Sequence, residues 1–295
     1  MSVKVEEGVR LSRLTTIGTG GEARAFASLT TMAEVERAVG WAAERSLEVV
    51  TVGLGSNVLA SDDGVDALVV RLEGELASVE VEDDLLRAGG GASNAVCLHR
   101  ARAAGLGGLE FACAIPGTAG GGVRMNAGAY GSDWAAILTR ALVVSSEGSG
   151  WLTTAELGLE YRRSSLRVGQ VVARVEYRLV PRPVEEIKAH VAELVAQRKA
   201  TQPTNKRTFG SVFKNPPGEL GAGRLLELCR LKGHRIGGAI ISPRHANFIE
   251  NAGGATTADC LALVSEARRR AREEHGVELE QEVVVIGARP AGEGT

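Results

Sequence analysis

The chain has 295 residues, of which 44% are hydrophobic and 24% are charged, and its net charge at pH 7 is −2. These values are typical of a globular protein that folds into more than one lobe. They argue against a nucleic-acid-binding surface, which needs clustered Lys and Arg. Only 4% of the residues are aromatic, so a platform for stacking bases is not expected either.

The predicted elements begin with a strand, Ala23–Ser28, and a helix, Leu29–Arg45. Thr31 can cap this helix and Glu34 follows three residues later, which is the pattern of a capping box. Apolar residues then recur at helical spacing. Three more strands are predicted before a lobe boundary near Leu72–Ser78: Glu48–Val52, Val58–Ala60 and Ala67–Arg71.

The middle of the chain is predicted to be rich in strands. Leu76–Gly89 alternates enough for one or two strands, and Ser93–Ala104 is a helix that Ser93 caps and Gly105 ends. Gly148–Gly150 is predicted to form a hairpin turn. The strands expected around and after this turn are Ile137–Ser145, Trp151–Thr153 and Val168–Val180.

Pro181 and Pro183 mark the start of a C-terminal region. Gln202–Phe209 is predicted to be a polar, basic loop, and Ala288–Thr295 is expected to fray. The other predicted elements are helices at Val184–Lys199, Leu220–Leu231 and Ala255–His275, and strands at Ala239–Ile241, Phe248–Ile249 and Val283–Ile286.

The four cysteines are widely spaced, at Cys97, Cys113, Cys229 and Cys260. They form no CxxC, so neither a zinc cluster nor a disulfide framework is expected, and the sequence predicts no metal site. The first residues lack the basic-then-apolar pattern of a secretion signal, and no apolar run reaches the roughly 18 residues of a membrane span. A cytoplasmic protein that does not act at a membrane is therefore expected.

Two glycine-rich stretches are the main candidates for a ligand site. GLGSN, Gly53–Asn57, follows the apolar strand Val49–Val52, and small residues at a strand end are where α/β folds admit ligands. The second stretch runs through Gly117–Gly131 with little charge. Successive backbone N–H groups can hold a phosphate or pyrophosphate. Val58 stands where the GxGxxG fingerprint needs its third glycine, so a nicotinamide-binding dinucleotide fold is disfavoured.

The order of these stretches resembles the flavin domain of the vanillyl-alcohol-oxidase, or PCMH-type, flavoproteins. A closer resemblance is to the UDP-N-acetylenolpyruvoylglucosamine reductase family, in the subclass that lacks a Tyr-bearing loop. The motifs that carry this resemblance extend over nearly the whole chain. They are TTIGTGGEA, GLGSNVLASDDG, GLEFACAIPGTAGGGVRMNAGAYG, YRRSSL, GSVFKNP, LKGHRIGGAIISPRHANFIEN and LEQEV.

The resemblance implies an α+β flavoprotein, with a two-lobed FAD-binding domain of PCMH type and a C-terminal α/β substrate-binding domain. The implied bounds are 1–75 and 76–182 for the two FAD-binding lobes, 183–288 for the substrate-binding domain and 289–295 for a flexible tail. It also implies bound FAD, NADPH as reductant and UDP-N-acetylglucosamine enolpyruvate as oxidant, in peptidoglycan precursor synthesis. A monomer is expected.

By the same resemblance, the FAD pyrophosphate lies against both glycine stretches and the flavin ring lies nearer Asn126–Gly128. The residues implied to bind the cofactor are Gly53, Gly55, Ser56, Asn57, Gly117, Thr118, Gly121, Gly122, Asn126 and Gly128. The side chains of Asp62 and Asp63 are expected to form a turn rather than bind a ligand. His245 and Asn247 are expected to secure a buried turn.

Three motif residues are implied in the chemistry, in which hydride passes from NADPH to flavin N5 and then to the terminal enol carbon. The enolate that develops needs electrostatic stabilisation and a proton. Arg162 can bind the carboxylate with a charged fork, and Ser211 is the expected proton donor. Glu282 is expected to orient the intermediate or to share in the proton transfer, and Glu280 is its rival by position.

Tyr161, Lys199, Lys214 and Asn215 are expected to contact the substrate, and further candidates for its diphosphate are Arg163, Lys206, Arg207 and Arg235. Two alternatives stay open at this point. One is a FAD-dependent oxidase of the same flavin fold with a different C-terminal lobe. The other is a non-catalytic nucleotide-sugar-binding protein.

Overall fold

The computed structural model describes residues 3–287, so the predicted tail of the chain lies outside the described residues. The α-helices of the described part vary from two turns to five. They are α1 Met32–Ala43, α2 Asn94–Ala103, α3 Ala119–Met125, α4 Val184–Thr201, α5 Ala222–Leu228 and α6 Thr257–His275.

The strands of the described part are mostly short. They are β1 Val9–Arg10, β2 Glu22–Leu29, β3 Glu48–Thr51, β4 Val58–Ala60, β5 Val65–Leu72, β6 Val79–Glu82, β7 Leu85–Gly89, β8 Leu106–Gly107, β9 Gly128–Ala129, β10 Ser132–Asp133, β11 Leu138–Ser145, β12 Gly148–Thr153, β13 Val171–Arg178, β14 Val180–Pro181, β15 Thr208–Ser211, β16 Arg235–Ile236, β17 Ala239–Ile241, β18 Phe248–Asn251 and β19 Val284–Ile286.

The chain packs as two compact units, and each unit draws on separate stretches of sequence. The first unit contains the residues up to Glu7, Ala25–Leu54 and Ala67–Arg198. The second contains Gly8–Arg24, Gly55–Asp66 and the residues from Lys199 onward. The sequence predicts two FAD-binding lobes and a substrate-binding domain. These are defined by the ligand that each binds, which the packing of the chain does not test, so this division stays a prediction.

The first unit contains an antiparallel sheet of five strands in the order β12-β11-β13-β7-β6. In a second sheet β3 and β5 pair in parallel, with Glu48 opposite Ala67. One core lies around Trp134, whose indole N–H donates to the Tyr177 hydroxyl at 2.6 Å, and both side chains are fully buried. Buried aromatic and aliphatic side chains of this size each contribute about 1.5–3 kcal/mol.

The second unit contains an antiparallel sheet in the order β15-β18-β17-β16, and α6 packs against β17. Its core includes Phe209, Phe213 and Leu263, all buried. The last strand, β19, pairs in parallel with β4 near the start of the chain. The Asp62 carboxylate accepts hydrogen bonds from two N–H groups in the first turn of α6, each at 2.9 Å. Asp62 therefore caps the start of α6. The sequence predicts only that its side chain forms a turn.

Several predicted elements are confirmed with shifts of a few residues. In α1 the Thr31 side chain accepts from the Glu34 N–H and the Glu34 carboxylate accepts from the Thr31 N–H, which is the predicted capping box. Ser93 caps α2, and α6 ends at Gly276 in the left-handed region, with φ +69°. These helices carry strong local signals, so their ends were predictable.

Three predictions about elements were wrong in detail, and one helix was missed. The hairpin turn is residues 146–147, because Gly148–Gly150 lie in β12 and pair with β11. The loop Gln202–Phe209 ends early, since Thr208 and Phe209 begin β15. The helix Leu220–Leu231 shrinks to α5, and the left-handed φ of +56° at Arg230 prevents it from continuing. The helix α3, within the second glycine stretch, was not predicted.

Candidate functional site

The start of the first glycine stretch lines a cavity of about 210 Å³ in the first unit. Strands β3 and β5 run in parallel and end at the same edge of their sheet, which is where α/β folds admit ligands. Gly53, Arg71, Gly91 and Thr118 are among the lining residues. A Cβ on Gly53 would lie 2.5 Å from the Thr118 hydroxyl oxygen, so any larger residue there would have to displace the Thr118 side chain.

The second glycine stretch contains α3, and two of the glycines in this helix, Gly120 and Gly122, face protein. The Gly120 N–H donates to the Gly90 carbonyl at 2.9 Å. A Cβ on Gly120 would lie 2.9 Å from the Val172 carbonyl oxygen, and one on Gly122 would lie 2.7 Å from the Trp134 ring. These two glycines allow close packing within the unit.

Gly121 differs from its two neighbours because it is exposed. A Cβ on Gly121 would approach only the Thr118 hydroxyl, at 3.4 Å. That hydroxyl caps α3 and accepts a long hydrogen bond of 3.4 Å from the Gly121 N–H. Of the three consecutive glycines, Gly121 is therefore the one that protein packing does not explain.

A buried acceptor lies beside this stretch. Asn94 is 2% exposed, its side-chain N–H group donates to the Ile115 carbonyl at 3.1 Å, and its backbone N–H donates to the Gly117 carbonyl at 3.0 Å. The Asn94 Oδ1 atom has no hydrogen-bond partner. A buried acceptor without a donor costs about 1–3 kcal/mol.

These features fit FAD, which carries hydroxyl and amine donors as well as a diphosphate. The orphaned Asn94 oxygen can accept a hydrogen bond, and the glycine-lined cavity with Arg71 at its wall suits part of an anionic ligand. The cavity is smaller than the roughly 300–1,000 Å³ of a whole small-molecule site. It therefore accommodates a portion of the cofactor rather than all of it.

The rest of the first glycine stretch belongs to the second unit. Gly55 has φ +64°, and a Cβ there would collide with the Leu14 backbone carbonyl. A Cβ on Gly210, in the GSVFKNP motif, would lie 3.3 Å from the Ser56 carbonyl oxygen. Ser56 therefore lies against the motif that contains Ser211.

Backbone hydrogen bonds join Glu282 to the segment that contains Ser211 in the second unit. The Glu282 N–H donates to the carbonyl of Val212, the residue after Ser211, at 2.8 Å. The Asn57 side chain donates to the Glu282 carbonyl at 3.2 Å, and the Val284 N–H donates to the Asn57 carbonyl at 3.0 Å. Ser211, Glu282 and Asn57 are thus brought together, and all three are half-buried.

Glu280 has a different environment from Glu282. The Glu280 carboxylate pairs with the Lys214 ammonium at 2.6 Å, and its carbonyl accepts from the Lys214 N–H at 2.9 Å. The Glu280 side chain is largely exposed. Its charge is therefore engaged by Lys214, and the preference for Glu282 over this rival stays a prediction.

Arg162 lies in a tight corner of the first unit, between β12 and β13, with φ +55°. Its guanidinium donates to the Gly128 carbonyl at 2.6 Å and lies 5.0 Å from the centre of the Tyr161 ring. Arg163 instead forms an exposed ion pair with Glu160, at 2.8 Å. The two neighbouring arginines diverge, and Arg162 is the one directed to the second glycine stretch.

Asn126 has a role within the protein. It is buried, ends α3 with φ +36°, and donates from its side chain to the Glu160 carbonyl at 2.9 Å and to Asp133 at 3.2 Å. Its side-chain oxygen accepts from the Ala135 N–H at 2.9 Å. Its amide thus secures the corner that carries Arg162, and a contact to FAD stays a prediction.

The residues predicted to contact substrate lie in both units. Tyr161 is exposed in the first unit, and Lys199 is exposed on α4 at the start of the second. Asn215 accepts from the Ala222 N–H at 3.0 Å and so supports the start of α5. Lys214 is half-buried and paired with Glu280.

His245 and Asn247 hold a buried turn, as predicted. The Asn247 side chain accepts from the Phe213 N–H at 2.9 Å and donates to the Phe213 carbonyl at 2.8 Å. The Asn247 N–H donates to His245 Nδ1 at 3.2 Å, and burial lowers the pKa of His245. This pair therefore positions the residues after Ser211.

Two cations in the first unit were not predicted. Arg71 lines the cavity at the end of β5 and pairs with Glu73 at 3.4 Å. Arg198 donates to the Cys113 carbonyl at 3.5 Å, and burial lowers its pKa. Arg71 could have been found from the sequence, because it is a basic residue near the end of a strand predicted to lie in the same lobe as the first glycine stretch. Arg198 could not, because nothing in the sequence distinguishes it from a solvent-exposed arginine on a helix.

Comparisons with known proteins match two regions of the chain to known families. Residues 23–152 match the family described as FAD binding domain, and residues 202–286 match the C-terminal domain of UDP-N-acetylenolpyruvoylglucosamine reductase. UDP-N-acetylenolpyruvoylglucosamine reductase 2 of Symbiobacterium thermophilum is 42% identical over 97% of this chain and 94% of its own length. The reductase of Staphylococcus aureus strain MRSA252 is 39% identical over 98% of this chain and 93% of its own length.

A solved structure has the same fold. The crystal structure of the reductase from Thermus caldophilus superposes with a TM-score of 0.85 at 38% identity, and the match covers 96% of this chain and 99% of that one. The fold and the two matched regions define a flavin-dependent oxidoreductase of the α+β, PCMH-type class.

The chain belongs to the UDP-N-acetylenolpyruvoylglucosamine reductase family. It is therefore an enzyme with FAD as its cofactor. The oxidase alternative required a different C-terminal lobe, and the match over residues 202–286 removes it.

Proposed function

We propose that this chain carries out the reaction of its family with Arg162, Ser211 and Glu282 as catalytic residues. The reaction is the NADPH-dependent reduction of the enolpyruvyl group of UDP-N-acetylglucosamine enolpyruvate. It gives UDP-N-acetylmuramate in peptidoglycan precursor synthesis. The observation that most supports the residue roles is the 2.8 Å hydrogen bond from the Glu282 N–H to the Val212 carbonyl, beside Ser211.

FAD, when bound, takes hydride from NADPH and supplies it to the substrate. We assign its binding to the two glycine stretches and the residue that caps α3. The proposed set is Gly53, Gly55, Ser56, Asn57, Gly117, Thr118, Gly121, Gly122, Asn126 and Gly128. The cavity at Gly53 and the exposure of Gly121 support this assignment. Gly122 contributes indirectly, because it allows the Trp134 ring to pack under α3.

Ser211 gives its hydroxyl proton to the substrate carbon that bears the carboxylate, while the terminal carbon receives the hydride. A serine hydroxyl is a weak acid, so this step needs a polar environment that stabilises the alkoxide. Glu282, held beside Ser211 by the backbone, orients the intermediate or shares in the proton transfer.

Arg162 binds the substrate carboxylate and stabilises the charge that develops on it. A guanidinium stays charged throughout and presents a planar fork that matches a carboxylate. Its bond to the Gly128 carbonyl fixes its direction before the substrate arrives. Tyr161, Lys199, Lys214 and Asn215 are proposed as further substrate contacts.

The setting of the enzyme is also part of the proposal. None of the helices in residues 3–287 is long and apolar enough to cross a membrane. All four cysteines are free thiols. We assign the protein to the cytoplasm, as a monomer that acts on its nucleotide-sugar substrate and NADPH rather than on nucleic acid or a membrane.

The test uses Ser211→Ala and follows each half-reaction without oxygen. Flavin bleaching by NADPH is expected at the wild-type rate, since Ser211 is assigned only to protonation of the substrate. Recolouring by the enolpyruvyl substrate is expected to slow by roughly 10²–10⁴-fold, the usual contribution of a general acid. Ser265→Ala, on the exposed face of α6, is the matched control. Equal slowing of both half-reactions would contradict the role given to Ser211.

A further inference from the structure

A thiol, a carboxylate and an imidazole converge at the carboxyl ends of α5 and α6. One ligand atom from each of Cys229, Glu274 and His275 lies within 4.8 Å of the other two. Cys229 is buried at the end of α5, whereas Glu274 and His275 are exposed in the last turn of α6. None of the three belongs to the residues proposed for the reductase reaction.

We propose that Cys229, Glu274 and His275 bind one Zn²⁺ ion. Sulfur, nitrogen and carboxylate oxygen are the donor types that Zn²⁺ combines in proteins. Zinc–ligand distances of about 2.0–2.3 Å in a tetrahedron place the ligand atoms roughly 3.5 Å apart. The exposed side chains of Glu274 and His275 reach this spacing by rotating toward the buried sulfur. The thiol proton passes to solvent, and water takes the fourth position.

The backbone around the cluster also favours a cation. Cys229 is the C-cap residue of α5, and His275 is the last residue of α6 before Gly276. Helix carboxyl ends carry partial negative charge, and here two of them meet. Arg270 donates to the Cys229 carbonyl at 3.4 Å, and its own charge is opposed by an ion pair with Glu266 at 2.7 Å. The bound ion would link the ends of the two helices.

No sequence pattern indicates this cluster, because Cys229 lies far along the chain from Glu274 and His275. Zinc sites are recognised in sequence by ligand pairs at short spacing, such as CxxC. Here the juxtaposition depends on how α5 packs beside α6, which spacing does not reveal.

The experiment titrates ZnCl₂ into the FAD-loaded protein after chelator treatment and desalting, by calorimetry, and repeats the titration with CoCl₂ by absorption. One Zn²⁺ per chain and a thiolate-to-cobalt charge-transfer band are expected. Loss of an outer-sphere partner usually costs 10–100-fold in metal affinity. Loss of a ligand in Cys229→Ser, Glu274→Gln or His275→Gln is therefore expected to weaken Zn²⁺ binding by at least about 10-fold.

The control is His190→Gln, which removes an exposed histidine on α4 outside the cluster and should leave the titration unchanged. Cys229 is buried, so Cys229→Ser can impair folding; the two exposed variants then decide the matter. Wild-type affinity in both Glu274→Gln and His275→Gln, or no one-to-one binding by the wild-type protein, would overturn the proposal.

Discussion

The two glycine-rich stretches look alike in sequence, but their glycines do different things. In the first stretch, Gly55 faces the Leu14 backbone and Gly53 faces the Thr118 side chain, which a larger residue would have to displace. In the second, Gly120 and Gly122 let α3 pack against the Val172 carbonyl and Trp134, while Gly121 is the exposed member of these three consecutive glycines. The number of glycines in a stretch is therefore a poor guide to how many of them contact a ligand. Each glycine has to be explained by the group that lies against it.

This comparison predicts a ranking of glycine-to-alanine substitutions. Gly55→Ala is expected to have the largest effect, because alanine at φ +64° is strained and its Cβ would meet the Leu14 carbonyl. Left-handed strain costs about 1–2 kcal/mol and overpacking about 1–3 kcal/mol, so a loss of about 2–5 kcal/mol is expected. Urea unfolding of the apoprotein measures it without a contribution from flavin binding. An unchanged midpoint would show that the Leu14 segment moves aside.

Gly122→Ala is expected to have an intermediate effect. The new methyl would press on the Trp134 ring, which is fixed by its bond to Tyr177, at a cost of about 1–3 kcal/mol. Better helix propensity in α3 offsets up to about 1 kcal/mol of this cost. The near-ultraviolet circular dichroism and the urea midpoint report on it together. If the variant were more stable and its tryptophan signal unchanged, the close approach of Gly122 to Trp134 would not be what requires glycine at this position.

Gly121→Ala is expected to change stability least and cofactor binding most selectively. Its Cβ has space, so the urea midpoint should stay the same or rise slightly. If the flavin diphosphate approaches this turn, FAD binding should weaken by about 10-fold or more, the worth of a hydrogen bond to a charged group. Flavin fluorescence titration measures the dissociation constant.

The matched control for Gly121→Ala is Gly40→Ala, an exposed glycine in α1 with nothing within 4 Å of a built Cβ. It should leave FAD affinity unchanged. Equal affinities for the two variants would mean that none of the three consecutive glycines is reserved for the ligand, and the comparison between the stretches would fail.

The elements that could be predicted have local signals. Thr31 and Glu34 fix the start of α1, and Gly276 fixes the end of α6. The missed helix α3 has three glycines in seven residues, and only its packing against neighbouring segments makes such a poor helix former helical. In β15 the pairing with β18 is irregular, so no alternating pattern reveals it.

The residues of the candidate site also fall into those that the sequence could predict and those that it could not. Family motifs pointed to Ser211 and Glu282, but the hydrogen bond that joins their segments connects distant parts of the chain and has no local signal. Glu282 is preferred to Glu280 because it matches the carboxylate just before the apolar VVVI run, and the ion pair between Glu280 and Lys214 has no signal in the sequence. The Asn94 oxygen without a hydrogen-bond partner could not be predicted, because nothing in the sequence distinguishes Asn94 from a solvent-exposed residue at the start of a helix.

The pairing of β19 with β4 has a consequence for how the protein is made. The Asn57 carbonyl is satisfied by the Val284 N–H, so one of the first loops to be synthesised waits for one of the last strands. Pairings between distant parts of a chain form slowly, because the entropy of closing the loop is lost before any stabilising contact is made. Until β19 has been synthesised, β4 lacks its parallel partner, and an unpaired strand edge of this kind makes a nascent chain more prone to aggregate.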